Sequence, residues 1–183
     1  ENQPRMQLSI SEMRTASLIE ALQKDRVDMF IAATPLDQED FFEIPLYYEK
    51  FAAYFASGNP FRDITLTAQN LPRENLWILQ EGHCFRSQIF NFCHDTVNFN
   101  QEYEAGSIET LIRIVDINGG YTVIPELHLP FLTEAQRANV REIDCPPAVR
   151  EISIVIRKDF IREKLINAVA DTIKSLMPEN MLN

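Results

Sequence analysis

The sequence predicts an α/β fold, and three observations carry that expectation. A strand, a helix and a second strand follow one another within about 28 residues near the start. Ile108, Leu111, Ile112 and Val115 fall at helical spacing, and Asn118-Gly119-Gly120 then leads into the apolar run Tyr121-Thr122-Val123-Ile124. Near the end, the alternating strand residues Ile152, Ile154 and Ile156 precede a helical stripe of Ile161, Leu165, Val169, Ile173 and Leu176. Strands and helices that alternate along the whole chain argue for α/β architecture.

Taken in order, Met6, Leu8 and Ile10 alternate with Gln7, Ser9 and Ser11 and predict a half-buried strand. Leu18, Ile19 and Leu22 predict a short helix, with Thr15 or Ser17 near its N-terminus. Residues 27–33 predict a second strand, so the first three elements form a βαβ unit with parallel pairing. Residues 44–56 are long, apolar and aromatic and predict one bent strand or two joined strands. Residues 76–79 predict a short buried strand that ends just before Cys84. Ser107 is an expected N-cap, and Thr133-Glu134-Ala135-Gln136 has the form of a capping box. No Gly/Ser linker divides the chain, so any second lobe is expected to be reached on extended strands.

The chain has 183 residues, enough for one sizeable domain or two small lobes. Formal net charge is -10 without a Lys/Arg run, which argues against direct contact with nucleic acid. No apolar run reaches the length of a membrane span. The opening Glu1-Asn2-Gln3-Pro4-Arg5 lacks an initiator Met, and a piece of a longer protein is expected. Cys84, Cys93 and Cys145 are an odd set for a secreted disulfide framework, so a reducing, cytoplasmic setting is expected.

Cys84 and Cys93 stand nine residues apart in Glu81-Gly82-His83-Cys84-Phe85-Arg86-Ser87-Gln88-Ile89-Phe90-Asn91-Phe92-Cys93-His94. On one continuous helix that step rises roughly 13–14 Å and turns about 180°. A disulfide needs Cα atoms within roughly 4.4–6.8 Å, so the pair either never bonds or bonds only when the segment unwinds. Cys84 just past a strand, at a helix start and beside His83 and Arg86, has the surroundings that lower a thiol pKa. Such a thiolate reacts with peroxide to a sulfenic acid, which a second thiol can capture. The plainer alternative is that both cysteines are small buried hydrophobes.

Other chemistry is less well supported. His83, Cys84, Cys93 and His94 are spaced too widely for structural zinc, and no metal or cofactor is expected. Adjacent His83 and Cys84 make a poor hydrolase pair, and no nucleophile elbow, dinucleotide fingerprint or phosphate loop is present. The aromatic stretch from Phe41 to Phe55 lacks interleaved basic residues and suits a core strand.

Residues 81–86 with Cys93 resemble the redox segment of the OxyR family, the peroxide-sensing branch of the LysR-type transcriptional regulators. Glu43-Ile44-Pro45-Leu46-Tyr47, Ser107-Ile108-Glu109-Thr110-Leu111, residues 119–125 and residues 150–155 resemble further segments of that family in the same order. The resemblance covers nearly the whole chain, and the Gly-His-Cys-x-Arg…Cys pattern is its most specific part.

The resemblance implies two Rossmann-like lobes like those of periplasmic binding proteins, with lobe I lacking its first strand and helix. Lobe I is then 1–48 with 151–183, and lobe II is 49–150. Cys84 is the implied peroxidatic residue and Cys93 the resolving one. Thr15 matches a threonine that holds peroxide, His83 and Arg86 match flanking polar residues, and Arg150 matches an arginine near the reactive sulfur. The implied function is a stoichiometric peroxide sensor rather than an enzyme. Its implied partners are hydrogen peroxide, a second copy, RNA polymerase and a glutaredoxin- or thioredoxin-type reductant. DNA is reached only through an N-terminal winged helix-turn-helix outside this chain. A tetramer requires the linker helix, which is also outside it. The chain departs from the pattern at Ser87, where an Asp is often found, and at Glu102, near the place of a histidine. Two further readings remain: a LysR-type domain that binds a small metabolite between its lobes, and a thiol peroxidase.

Overall fold

The computed structural model describes residues 7–58, 65–67, 70–72, 75–78, 107–144 and 149–182. Helix α1 (Thr15–Gln23) buries Ala21 and Leu22, and Asp25 at φ 54° turns the chain toward strand β1 (Phe30–Thr34). Strand β2 (Phe41–Phe55) follows as one 15-residue strand with an irregularity between Pro45 and Tyr47. Pro45 has no N–H to give the ladder, which favours a break in register there. The bent strand expected from the aromatic run is thus present.

The expected strand around Leu8 and Ile10 is not. Residues 7–14 belong to no helix or strand, and Leu8 and Ile10 are 67% and 83% exposed. An alternating segment becomes a strand only where a neighbour takes its N–H and C=O groups. Among the described residues β1 pairs only with β5 (Val149–Arg157), so that neighbour is missing and the parallel βαβ unit does not form. The described ladders are antiparallel, and the parallel contacts are the isolated bridges Leu66 to Ile143 and Leu76 to Tyr121.

Helix α2 (Ile108–Asn118) starts where Ser107 accepts the Thr110 N–H at 3.2 Å. It stops at Gly119 and Gly120, both near φ 80°, where glycine carries no steric cost. Strand β3 (Tyr121–Pro125) runs into a 3-10 turn, Glu126–Phe131. Short helix α3 (Glu134–Arg137) has the expected capping box between Thr133 and Gln136. Strand β4 (Val140–Glu142) follows, and after β5 comes helix α4 (Glu163–Leu176).

The strand order is β1-β5-β2-β3, with β4 also on β2. Residues 41–50 of β2 pair with β5, whereas residues 51–55 pair with β3 and residues 52–54 with β4. One strand therefore carries the chain from the first sheet into the second, between Lys50 and Phe51. In the first sheet α1 covers one face, where Leu22 packs with Phe30, Phe41 and Val155. Helix α4 covers the other, where Ile166 and Ala170 pack with Leu46, Ile154 and Ile156. With both faces covered, every residue of β5 from Ile152 to Ile156 is buried, and neighbours along the strand serve opposite helices. The second sheet packs on α2 through Phe51, Tyr54, Leu111, Ile112, Val115 and Ile124.

The predicted C-terminal stripe is only partly correct. Ile161 precedes the helix and is 90% exposed, and Leu176 at its last position is 73% exposed. Ile166, Val169, Ala170 and Ile173 form the packed stripe, because the helix begins at Glu163.

Candidate functional site

Of the residues singled out from the sequence, Thr15 and Arg150 fall within the described residues. Cys84, Cys93, His83, Arg86, Ser87, Glu102 and Cys145 lie outside them. Thr15 is the first residue of α1 and is half-buried. Leu22 packs over Phe30 and Val155, which face each other at one end of the first sheet. Thr15 stands at the N-terminal end of α1, the end away from Leu22.

Arg150 is held by Glu49, its register partner on β2. Arg150 Nη2 lies 2.6 Å from Glu49 Oε2, and Arg150 Nε donates to the same oxygen at 2.8 Å. The other carboxylate oxygen, Oε1, accepts the Leu127 N–H at 3.0 Å. Leu127 belongs to the turn after β3, so one carboxylate ties both sheets at the point where β2 passes between them. The Glu49 side chain is 1% exposed and that of Arg150 16%. The guanidinium carbon lies 5.4 Å from the Phe51 ring centroid, in cation–π range. A carboxylate this buried is tolerated because each oxygen has a donor and the charge has a partner.

A second polar cluster lies one residue along. Tyr48 and Glu151 are register partners, and side chains alternate faces along a strand. Tyr48 Oη donates to Glu151 Oε2 at 2.9 Å. Thr34 Oγ1 and Ser153 Oγ lie 2.9 and 3.1 Å from Glu151 Oε1 and 2.8 Å from each other. Each hydroxyl carries one proton, so two of these three contacts hold a hydrogen at any moment. Burial raises the Glu151 pKa, but donation from Tyr48, Thr34 and Ser153 outweighs it and leaves the carboxyl below its ordinary value. The Tyr48 phenol is pushed up by its bond to Glu151 and by that carboxylate's charge.

Sequence reasoning did not single out Glu49 or the Thr34, Tyr48, Glu151 and Ser153 cluster as a site. A lone acid inside the apolar run from Ile44 to Ala56 was the available signal, since such a residue needs a buried partner. Among the described residues no group of three or more His, Cys, Asp and Glu side chains has metal-binding proximity. No helix among them is long and apolar enough to cross a membrane.

The family described as LysR substrate binding domain matches residues 1–178. A hydrogen peroxide-inducible genes activator of Haemophilus influenzae is 32% identical over 182 residues, covering 95% of this chain and 60% of that protein. The chain thus spans about three fifths of the length of the curated relatives it matches. A crystal structure of an OxyR mutant from Porphyromonas gingivalis superposes with a TM-score of 0.88 at 30% identity, covering 100% of this chain and 86% of that one. The reduced OxyR regulatory domain from Pseudomonas aeruginosa gives 0.82 at 29% identity, covering 94% and 84%. The two sheets joined through β2 are thus those of a periplasmic-binding-protein-like regulatory domain. The chain belongs to the family of LysR substrate-binding domains and is similar, within it, to the regulatory domain of OxyR.

Proposed function

We propose that this chain is the peroxide-sensing regulatory domain of a LysR-type transcription factor. The reading is carried by the occurrence, in a chain so similar to OxyR regulatory domains, of Gly82-His83-Cys84-Phe85-Arg86 with Cys93 nine residues on. The Cys84 thiolate attacks one oxygen of hydrogen peroxide. The O–O bond breaks, sulfur is oxidised to the sulfenic acid, and the departing hydroxide takes a proton to leave as water. Cys93 then attacks the Cys84 sulfur. An S–S bond forms, the sulfenic hydroxyl leaves, and the Cys93 proton completes a second water.

Thr15 orients the peroxide, and Arg150 donates to the oxygen on which negative charge develops. His83 and Arg86 favour the thiolate by their positive charge. The bond between Cys84 and Cys93 requires the intervening segment to rearrange, which makes it a bistable element biased by a covalent event. Lobe I comprises 1–48 and 151–183, and lobe II comprises 49–150. The passage of β2 from one sheet to the other falls between Lys50 and Phe51, and Glu49, Lys50, Val149 and Arg150 still pair in the first sheet, so the register supports two lobes with the crossover about two residues inside the stated bounds. The protein acts in the cytoplasm as a homodimer, or as a tetramer once the linker helix is present. It reaches DNA through an N-terminal domain and acts on RNA polymerase. A glutaredoxin- or thioredoxin-type dithiol returns two electrons and two protons to restore both thiols. One turnover per reduction makes it a sensor, not an enzyme of high flux.

The test is titration of the reduced protein with hydrogen peroxide, with free thiols counted by mass spectrometry. A near-stoichiometric addition yields a disulfide between Cys84 and Cys93, and Cys93→Ser accumulates sulfenic acid at Cys84. Unchanged thiols at that ratio sink the reading and favour a metabolite-binding domain. Sustained turnover with a small-molecule thiol favours a peroxidase.

A further inference from the structure

We infer that Glu49 is a positioning residue for the peroxide step: it fixes the plane of the Arg150 guanidinium. The inference rests on the sensor reading above, in which Arg150 faces the reacting oxygen. Glu49 takes two of the five N–H donors of Arg150 on a single oxygen, Oε2, through Nε at 2.8 Å and Nη2 at 2.6 Å. Two bonds from one planar group to one atom fix its rotation far better than one bond does. The carboxylate cannot swing, because its second oxygen is tied to the Leu127 N–H from the other sheet. At 1% exposure it is also shielded from bulk solvent. The Phe51 ring beside the guanidinium adds a further restraint.

The pair also separates two effects that an arginine ordinarily combines. Glu49 and Arg150 together are close to neutral, so the net field of the pair falls off faster with distance than that of a lone guanidinium. The directed N–H donation remains. Arg150 so held acts on charge that develops at a defined place during O–O cleavage, and little on the resting thiolate. Removing the Glu49 charge reverses that balance. The unmasked guanidinium favours the Cys84 thiolate, while its aim at the leaving oxygen is lost.

The test compares Cys84 in the wild type, Glu49→Gln and Arg150→Lys by two rates. One is alkylation with iodoacetamide against pH, which reads the thiolate. The other is the second-order rate with hydrogen peroxide at a pH where the thiol is ionised. In Glu49→Gln the alkylation midpoint moves down or stays, while the peroxide rate falls roughly 10–100-fold. Arg150→Lys keeps the charge and the ion pair but not the planar fork, and its peroxide rate falls by a similar factor. The double variant falls no further than Arg150→Lys alone, because both changes remove the same interaction. A wild-type peroxide rate in Glu49→Gln beside a slow Arg150→Lys overturns the role of Glu49 and leaves the sensor reading standing. A wild-type rate in Arg150→Lys overturns the inference even where Glu49→Gln does not fold, since the orientation of the fork then does not matter. No reaction of wild-type Cys84 with peroxide overturns the sensor reading itself.

Discussion

Tyr48 and Glu151 stand opposite each other across β2 and β5, and the Tyr48 hydroxyl donates to Glu151 Oε2 at 2.9 Å. The next register pair along is Glu49 with Arg150, so two polar pairs occupy successive positions just before β2 leaves the first sheet. The first bonds to Thr34 at the end of β1, and the second to Leu127 beyond β3. The crossover is thus anchored to both sheets by side chains as well as by the strand itself.

Glu151 makes stability depend on pH at the acid end. Its folded pKa is depressed, so its contribution is present above the unfolded carboxylate value and is lost as pH falls through the lower folded value. Glu151→Gln is expected to cost about 1–3 kcal/mol at neutral pH, the scale of hydrogen bonds to a charged acceptor. The difference from wild type narrows as the solution is acidified below the usual carboxylate range. Urea unfolding followed at Trp77, the one tryptophan, measures it. A gap that stays constant on acidification refutes an ionised Glu151 as the acceptor.

The two members of the Glu49–Arg150 pair are not equivalent for stability. Arg150→Ala leaves a carboxylate at 1% exposure with only the Leu127 N–H, and the expected cost is about 3–5 kcal/mol. Glu49→Ala leaves a guanidinium that is already 16% exposed and whose long stem can reach water, so its cost is smaller. Denaturant unfolding of both variants decides the order. Equal losses refute the burial argument.

Local signals made much of this fold legible. Ser107 and Thr133 announce helix starts because a cap needs only residues three positions away. Residues 121–124 and 152–156 announce strands because short, strongly apolar runs must be buried. The failures are non-local. Leu8 and Ile10 have the alternation of a strand but no neighbour among the described residues to pair with. Ile161 continues the spacing of a helix that starts two residues later. Glu49 finds its partner 101 residues away on β5, and no window of the sequence contains both. Thr15 and Arg150 entered as candidate site residues only through the family resemblance. The residues that hold Arg150 in place emerged only with the strand register.

The two glycines after α2 differ in what they allow. A Cβ on Gly120 would stand 2.3 Å from the Asn75 carbonyl oxygen and 2.9 Å from Trp77 Nε1, with φ at +82°. That oxygen accepts the Tyr121 N–H at 3.0 Å, so it cannot withdraw without breaking the approach to β3. Gly119 has a similar φ of +79° but open space around it. Gly119→Ala is expected to cost about 1–3 kcal/mol for the backbone alone, since φ 79° with ψ -170° is a region essentially confined to glycine. Gly120→Ala is expected to cost more than about 3 kcal/mol and to alter Trp77 emission in the folded state, since backbone must shift. Similar losses for the two would contradict the close approach.

Tyr54 supplies the alkaline counterpart to Glu151. Its ring is fully buried on β2, and its hydroxyl donates to Asp116 Oδ1 at 2.5 Å. Asp116 Oδ2 in turn accepts from Gln136, the closing residue of the α3 capping box, so this phenol links α2 to α3. Burial, followed by the bond to Asp116, pushes the Tyr54 pKa far above its ordinary value. The raised folded pKa sets the sign. In the unfolded chain Tyr54 ionises near about pH 10, whereas in the folded protein it stays protonated, so its stabilisation is complete below that pH and drains away above it. One such group contributes a slope of at most about 1.4 kcal/mol per pH unit. Tyr54→Phe is expected to cost about 1–2 kcal/mol at neutral pH, through the lost bond, and to lose stability less steeply above pH 10 than the wild type. The two unfolding curves therefore converge as the solution is made alkaline. Parallel curves across that range would show that Tyr54 ionises equally well folded and unfolded, and that Asp116 does not hold its proton in place.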